Sequence, residues 1–152
     1  MDNIVHSAEL KIPSDPIYLR PVRSFVRELA ENMGFCHEKV SGIELAVDEV
    51  FSNAIEHGSA DLGSEIAIRC LSTDEMIKII VSDTGRGRNS NTKWIDAWTN
   101  VVREKAQLTT ERGHGLLLAY DLTDEMTVKS NSIGGVDVHL VIHKEEQQVT
   151  KR

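Results

Sequence analysis

The stretch Glu44–Gly58 reads Glu-Leu-Ala-Val-Asp-Glu-Val-Phe-Ser-Asn-Ala-Ile-Glu-His-Gly, and it decides how the rest of the chain is interpreted. Apolar residues recur here at steps of three and four, a pattern that predicts an amphipathic helix. The residues of this pattern are Val40, Ile43, Val47, Val50 and Ala54. The helix is expected to end at Gly58, because glycine readily adopts the left-handed cap and His57 complements the negative end of the helix dipole.

Two polar side chains of this helix, Glu49 and Asn53, lie one turn apart. They fall at the border between the polar face and the apolar edge formed by Ala46 and Val50. A carboxylate and an amide in that position can serve as a general base and as a ligand for a hard metal ion. Taken alone, the pair is more typical of an ordinary surface helix with Glu and Asn four residues apart.

The composition indicates one soluble domain over residues 1–152 and sets limits on its function. A net charge of −7 argues against a general nucleic-acid binder, which needs a basic surface. Cys36 and Cys70 form neither a disulfide framework nor a metal cluster, which fits a reducing compartment. The sequence has no apolar run of about 20 residues and no apolar signal-peptide core. We therefore expect a cytoplasmic protein that does not bind nucleic acid or membranes directly.

The remaining patterns predict an α+β two-layer sandwich, with a mixed, mostly antiparallel sheet covered by helices on one face. The expected elements are a strand over 4–12, a helix from Ser14-Asp15-Pro16 to Gly34, the helix above, strands over 66–70 and 77–83, a helix over 113–122, and strands over 126–130 and 136–143. Gly134-Gly135 is typical of a hairpin between the last two strands. The core is expected over about 10–143, followed by a charged tail over 144–152.

One long segment, Arg88–Glu111, is polar and lacks clean strand character. Ile95, Trp98 and Val102 favour a short amphipathic helix inside it. A segment of this length in a compact domain is more often functional than idle, so we expect it to act as a lid.

Three motifs occur in order along the chain, and each is weak alone. They are Glu49-x-x-x-Asn53 on a helix, Asp83-x-Gly85-x-Gly87 after a strand, and Gly113-x-Gly115-Leu116 at the start of a helix. In isolation, the second could be a plain turn and the third a simple helix start. Together, the three resemble the N, G1 and G2 boxes of the GHKL (Bergerat) ATP-binding fold of gyrase, mismatch-repair and chaperone ATPases and histidine kinases.

A closer resemblance is to the anti-sigma factor serine-protein kinases. Asp48–Gly58 looks like the N box of that family, and Glu111–Leu116 is similar to its second glycine box. Thr123–Met126 follows at the family's usual distance, so the resemblance covers roughly residues 10–143.

The resemblance implies that the chain binds ATP and Mg²⁺. It implies that Asn53 offers an oxygen to the metal and that Glu49 acts as the catalytic base. It also implies that Asp83 accepts a hydrogen bond from the adenine amino group, while Gly85 and Gly87 let the backbone approach the nucleotide.

The second glycine box is implied to bind phosphate at a helix N-terminus. Gly113, Gly115 and Leu116 open that helix, whose free amides suit phosphate oxygens. Arg112 matches a family arginine near the terminal phosphate, so it is both a binding and a catalytic candidate. His114 is included in the binding run, although its side chain is also typical of an incidental residue in a glycine turn.

The implied function is that of an ATP-dependent serine/threonine-protein kinase, a transferase, that acts as an anti-sigma factor in a partner-switching pathway of transcription regulation. Its substrate would be an anti-anti-sigma protein of the STAS type, its client a sigma factor or an analogous protein, and its assembly a homodimer. Two alternatives remain open: an ATP-gated binding module that sequesters a partner without significant kinase activity, and a simple GHKL ATPase.

Overall fold

The structure is a computed structural model that describes residues 3–57, 64–85 and 111–145, without the side chains of residues 57 and 111–115. The described elements follow the expected order of strand, two helices, two strands, helix and two strands. They are β1 (His6–Pro13), a 3₁₀ turn (Pro16–Tyr18), α1 (Leu19–Asn32), α2 (His37–His57), β2 (Glu65–Ser72), β3 (Met76–Ser82), α3 (Glu111–Leu122), β4 (Glu125–Ser130) and β5 (Val136–His143).

The five described strands form one sheet in the order β1-β2-β3-β5-β4. The α+β class predicted from the sequence is confirmed. The expectation of a mixed sheet is wrong for the described strands, because all four pairings are antiparallel. The hairpin of β4 and β5 explains the difference, since it places β5 between β3 and β4, which run in the same direction.

The core lies between the sheet and the helices. Alternate residues of β2 show the two faces of the sheet, since Ile66, Ile68 and Cys70 are buried while Glu65 and Arg69 are exposed. The buried residues of the two long helices are Val22, Val26, Ala30, Val40, Ile43, Ala46, Val47, Val50, Phe51 and Ala54. Burying one large apolar side chain stabilises a protein by about 1.5–3 kcal/mol, so this set holds the helices firmly on the sheet.

Local signals set most helix ends. The Asp15 carboxylate accepts a hydrogen bond from the amide of Ile17 at 3.0 Å and caps the 3₁₀ turn that leads into α1. Gly34 follows α1 with a φ of +89°, a left-handed conformation that glycine adopts without strain. Helix α3 begins at Glu111, two residues before the start expected at Gly113.

The first turn of α2 is tied to one end of the sheet, because Lys39 Nζ donates to the carbonyl of His143 at 2.5 Å. His143 pairs with Met76, the first residue of β3, so β3 runs away from this end toward Ser82. A helix of 21 residues is about 30 Å long, longer than a strand of seven residues. The start of α2 therefore lies near the first residue of β3, and the helix is long enough to span the length of that strand.

Several expectations fall on residues outside the described ranges. They are the Gly58 cap, Gly87, the segment 88–110 with its expected helix and lid role, and the tail 146–152. Within the ranges that are described, no helix is both long and apolar enough to span a bilayer.

Candidate functional site

The carboxylate of Asp83 is held at the end of β3, and the residue is 4% exposed. The Asp83 amide donates to the carbonyl of Val136 at 3.1 Å. In return, the Val136 amide donates to Asp83 Oδ1, also at 3.1 Å. A buried carboxylate is costly unless it is hydrogen-bonded, and the Val136 amide supplies part of that compensation while fixing the direction of the side chain.

Gly85 lies against the turn between β4 and β5. Its φ is +72°, and a Cβ built on it would lie 2.0 Å from the Gly134 carbonyl oxygen. A Cβ on Gly135 would lie 1.9 Å from the Asp83 carbonyl oxygen. The two backbones therefore pack against each other without side chains between them. This contact gives glycine at position 85 a structural reason in addition to the nucleotide approach expected from the sequence.

Glu49 and Asn53 lie half-buried near the end of α2, one turn apart. Burial raises the pKa of the Glu49 carboxyl above its ordinary value, and the negative charges of Asp48 and Glu56 raise this pKa further. A carboxylate whose pKa is shifted upward is a better proton acceptor near neutral pH, as a general base must be. Glu49 and Asn53 are thus the candidate residues on α2, and Asp83 and Gly85 are the candidates that follow β3.

The donor set of these residues fits a magnesium nucleotide. Asn53 offers a hard amide oxygen of the kind that binds Mg²⁺ when phosphates and waters supply the other ligands. Thr84 Oγ1, next to Asp83, is buried and has no hydrogen-bond partner among the described residues, so a polar ligand or a water would satisfy it. No group of three or more His, Cys, Asp or Glu side chains in the described ranges could hold a metal by itself.

The second glycine box lies in the first turns of α3. An α-helix leaves its first four amide groups without internal partners, and with a start at Glu111 these amides precede Leu116. The Leu116 side chain is 5% exposed and belongs to the hydrophobic core. The side chains of Arg112 and His114 lie outside the description, as do any contacts of theirs.

Sequence reasoning missed the residues of the β4–β5 turn that contact Asp83. The sequence pattern predicts only a hairpin at Gly134-Gly135, and no local signal singles out Asn131. The Asn131 Nδ2 donates to the Asp83 carbonyl at 2.9 Å across 48 residues of sequence. The pair of adjacent glycines is the sequence signal for this contact. A hairpin turn often needs only one glycine, and a second glycine permits another backbone to approach closely.

Comparison with known proteins places this chain in a family. Residues 12–142 match the histidine kinase-like ATPase domain family. Over 135 residues, the chain is 31% identical to the serine-protein kinase RsbW of Bacillus pumilus (strain SAFR-032), a match that covers 87% of this chain and 83% of the relative. The chain belongs to the anti-sigma factor kinase family of the histidine kinase-like ATPase fold.

A second relative is also similar to this chain, and two solved structures share its fold. The RsbW of Bacillus subtilis (strain 168) is 27% identical over 150 residues, which cover 98% of this chain and 92% of that protein. The RsbU and RsbW domains of Rv1364c from Mycobacterium tuberculosis superpose with a TM-score of 0.65 at 21% identity, covering 96% of this chain and 35% of that one. The SiaB-SiaC complex from Pseudomonas aeruginosa gives a TM-score of 0.67 at 10% identity, covering 93% of this chain and 90% of that one. At these identities the two structures show the shared fold.

Proposed function

We propose that this protein is an ATP-dependent serine kinase that acts as an anti-sigma factor in a partner-switching pathway. Its substrate is a serine of an anti-anti-sigma protein of the STAS type. The observation that carries the proposal is the pairing on α2 of a half-buried Glu49, whose pKa is raised, with Asn53 one turn away. Membership of a family whose relatives are named serine-protein kinases supports the same function.

Glu49 is proposed as the general base of phosphoryl transfer. The partner's serine oxygen forms a bond to the terminal phosphorus, the bond from that phosphorus to the ADP oxygen breaks, and the hydroxyl proton passes to the Glu49 carboxylate. The upward shift of the Glu49 pKa favours this proton acceptance. Glu49 is therefore the residue whose removal should abolish transfer while leaving nucleotide binding largely intact.

The other predicted residues are proposed to hold the nucleotide. When bound, ATP with Mg²⁺ supplies the phosphoryl group that is transferred. Asn53 would hold the metal through its amide oxygen, and Asp83 would accept a hydrogen bond from the adenine amino group. Gly87 and the Arg112–Leu116 run would contribute backbone contacts to the nucleotide, and the Arg112 charge would stabilise the terminal phosphate.

Phosphorylation is proposed to release the anti-anti-sigma partner. The freed kinase then holds a sigma factor or an analogous client, and it works as a homodimer in the cytoplasm. A structural neighbour solved as a complex of two proteins, SiaB with SiaC, is consistent with a fold that binds a protein partner.

ATP hydrolysis and ATP-gated sequestration without transfer are the competing functions. A base at Glu49 could activate water as well as a serine hydroxyl, so the geometry of α2 alone serves both kinase and ATPase. The distinction depends on where the terminal phosphate goes, and this can be measured directly.

The test is transfer of label from γ-³²P-ATP with Mg²⁺ to the anti-anti-sigma proteins encoded in the same genome. We expect label on one serine of one partner, and its loss in Glu49→Ala and Asn53→Ala. Glu28→Gln, an exposed charge on α1, is the matched control and should transfer normally. Label transfer that survives both site substitutions would refute the proposal. Release of free phosphate without labelled partner would support the ATPase, and ATP binding with neither product would support the gated module.

A further inference from the structure

Asn131, in the turn between β4 and β5, uses the full hydrogen-bonding capacity of its side chain. Its Nδ2 donates to the Asp83 carbonyl at 2.9 Å and to Asp137 Oδ1 at 3.0 Å. Its Oδ1 accepts from the Gly135 amide at 2.7 Å and from the Ile133 amide at 3.2 Å. The amide orientation is fixed by chemistry, because the first two partners can only accept and the last two can only donate.

We infer that Asn131 is the positioning residue that sets the Asp83 loop for recognition of the nucleotide base. The inference rests on the proposed function, in which Asp83 reads the adenine amino group. Asn131 is the side chain whose hydrogen bonds join the Asp83 backbone to the turn that faces it, since its Nδ2 group donates both to the Asp83 carbonyl and to the Asp137 carboxylate. Its loss removes a restraint on Asp83 without removing any group that would touch the nucleotide.

The packing around Asn131 makes this restraint effective. The loop and the turn are in direct backbone contact, as the short approaches at Gly85 and Gly135 show. The reciprocal hydrogen bonds between Asp83 and Val136 bring the carboxylate into the same unit. A change in the turn that Asn131 organises is therefore transmitted to the direction of the Asp83 carboxylate by a contact with no intervening side chain.

A change at Asn131 should alter base selectivity as well as affinity. Adenine presents an amino group where guanine presents a carbonyl oxygen, so a correctly placed Asp83 carboxylate attracts the first and repels the second. A displaced carboxylate attracts the adenine amino group less strongly and repels the guanine carbonyl oxygen less strongly. We expect Asn131→Ala to weaken ATP binding about 5- to 10-fold, the effect of losing about one hydrogen bond, and to lower the ratio of ATP to GTP affinity.

The experiment is calorimetric titration of the full chain with ATP and with GTP in the presence of Mg²⁺, together with urea unfolding of each variant. The informative variant is the reciprocal exchange Asn131→Asp with Asp137→Asn. It restores an amide–carboxylate hydrogen bond between positions 131 and 137 but places a carboxylate oxygen, instead of the Nδ2 donor, against the Asp83 carbonyl. We expect the exchange to recover part of the stability lost in Asn131→Ala but not the preference for ATP. Ser132→Ala, exposed in the same turn, is the matched control.

A double-mutant comparison isolates the route through Asp83. In an Asp83→Asn background, Asn131→Ala should cause little further change in ATP affinity, because the group it positions is already altered. The inference is overturned if Asn131→Ala keeps the wild-type ratio of ATP to GTP affinity, or if the reciprocal exchange restores that ratio together with stability. Wild-type protein that binds neither nucleotide would instead refute the proposed function, and the inference with it.

Discussion

Gly135→Ala is the substitution for which the structure gives the sharpest expectation. The new Cβ would lie 1.9 Å from the Asp83 carbonyl oxygen, about 1.5 Å inside the 3.4 Å at which ordinary contacts begin. The obstacle is backbone, so no side-chain rotation can relieve it. The loop and the turn must move apart, and that movement strains the reciprocal hydrogen bonds between Asp83 and Val136.

The expected loss of stability follows from these contacts. Overpacking that shifts the backbone costs about 1–3 kcal/mol, and each hydrogen bond lost costs about 1 kcal/mol. We therefore expect Gly135→Ala to lower the free energy of unfolding by about 3–5 kcal/mol. With a urea m-value of about 2 kcal/mol per M, a loss of about 4 kcal/mol lowers the unfolding midpoint by about 2 M.

Two other glycines provide controls in the same urea assay. Gly34 has a positive φ but nothing within 4 Å of a built Cβ. Gly34→Ala should therefore lower the free energy of unfolding only by the conformational strain that alanine introduces there, about 1–2 kcal/mol. Gly42 lies inside α2, where a Cβ would make an ordinary contact at 3.8 Å with Leu122, so Gly42→Ala should gain up to about 1 kcal/mol. A loss at Gly135 no larger than the loss at Gly34 would show that the close approach of the two backbones does not exist in solution.

Three further measurements bear on the site and its supports. Glu49→Gln should raise the free energy of unfolding at pH 7 relative to wild type, and Glu28→Gln is its control. The pKa of Glu49 in the folded protein lies above its ordinary value, so ionised Glu49 destabilises the folded state, and this loss of stability grows as the pH rises through the two pKa values. The stability gained by Glu49→Gln should therefore vanish in acid, and an equal gain at every pH would contradict this cause. Thr123→Val should lower the free energy of unfolding by about 1 kcal/mol, because the buried hydroxyl donates to the Ala119 carbonyl at 2.9 Å. Thr127→Val, at an exposed position, is the control and should change it by no more than about 0.5 kcal/mol. Equal effects would count against the buried hydrogen bond. Removal of Mg²⁺ with EDTA should abolish label transfer and its replacement should restore it, while transfer that persists in EDTA would remove the role proposed for Asn53.

The parts of the fold that follow from local chemistry could be predicted from the sequence. The three- and four-residue apolar repeat of α2, the alternation in β2 and β3, and the left-handed Gly34 each act over a few residues, so each leaves a readable pattern. The start of α3 was less readable, because three consecutive leucines follow Gly115 and give no clear face. Two of them differ greatly in the structure, since Leu116 is 5% and Leu118 is 38% exposed.

The support of Asp83 could not be predicted in the same way. An aspartate after an apolar strand is visible in the sequence, but its partners Asn131 and Val136 are 48 and 53 residues away. Pairing over that distance depends on β5 lying between β3 and β4, an order that no local pattern specifies. The contact between Gly85 and Gly134 is an example, because it follows from the strand order and not from any local sequence pattern.

The strand order also bears on how the chain acquires its site during synthesis. Strand β3 lies at the centre of the sheet, yet one of its neighbours, β5, is the last described strand to be made. Non-local pairings of this kind form slowly, since a long loop must close before any contact compensates for the lost entropy. A nascent chain that has emerged only to residue 130 already carries Glu49 and Asn53, but the Asp83 loop lacks every partner that the β4–β5 turn supplies. The capacity to select a nucleotide should therefore arise late, when the final hairpin leaves the ribosome and docks.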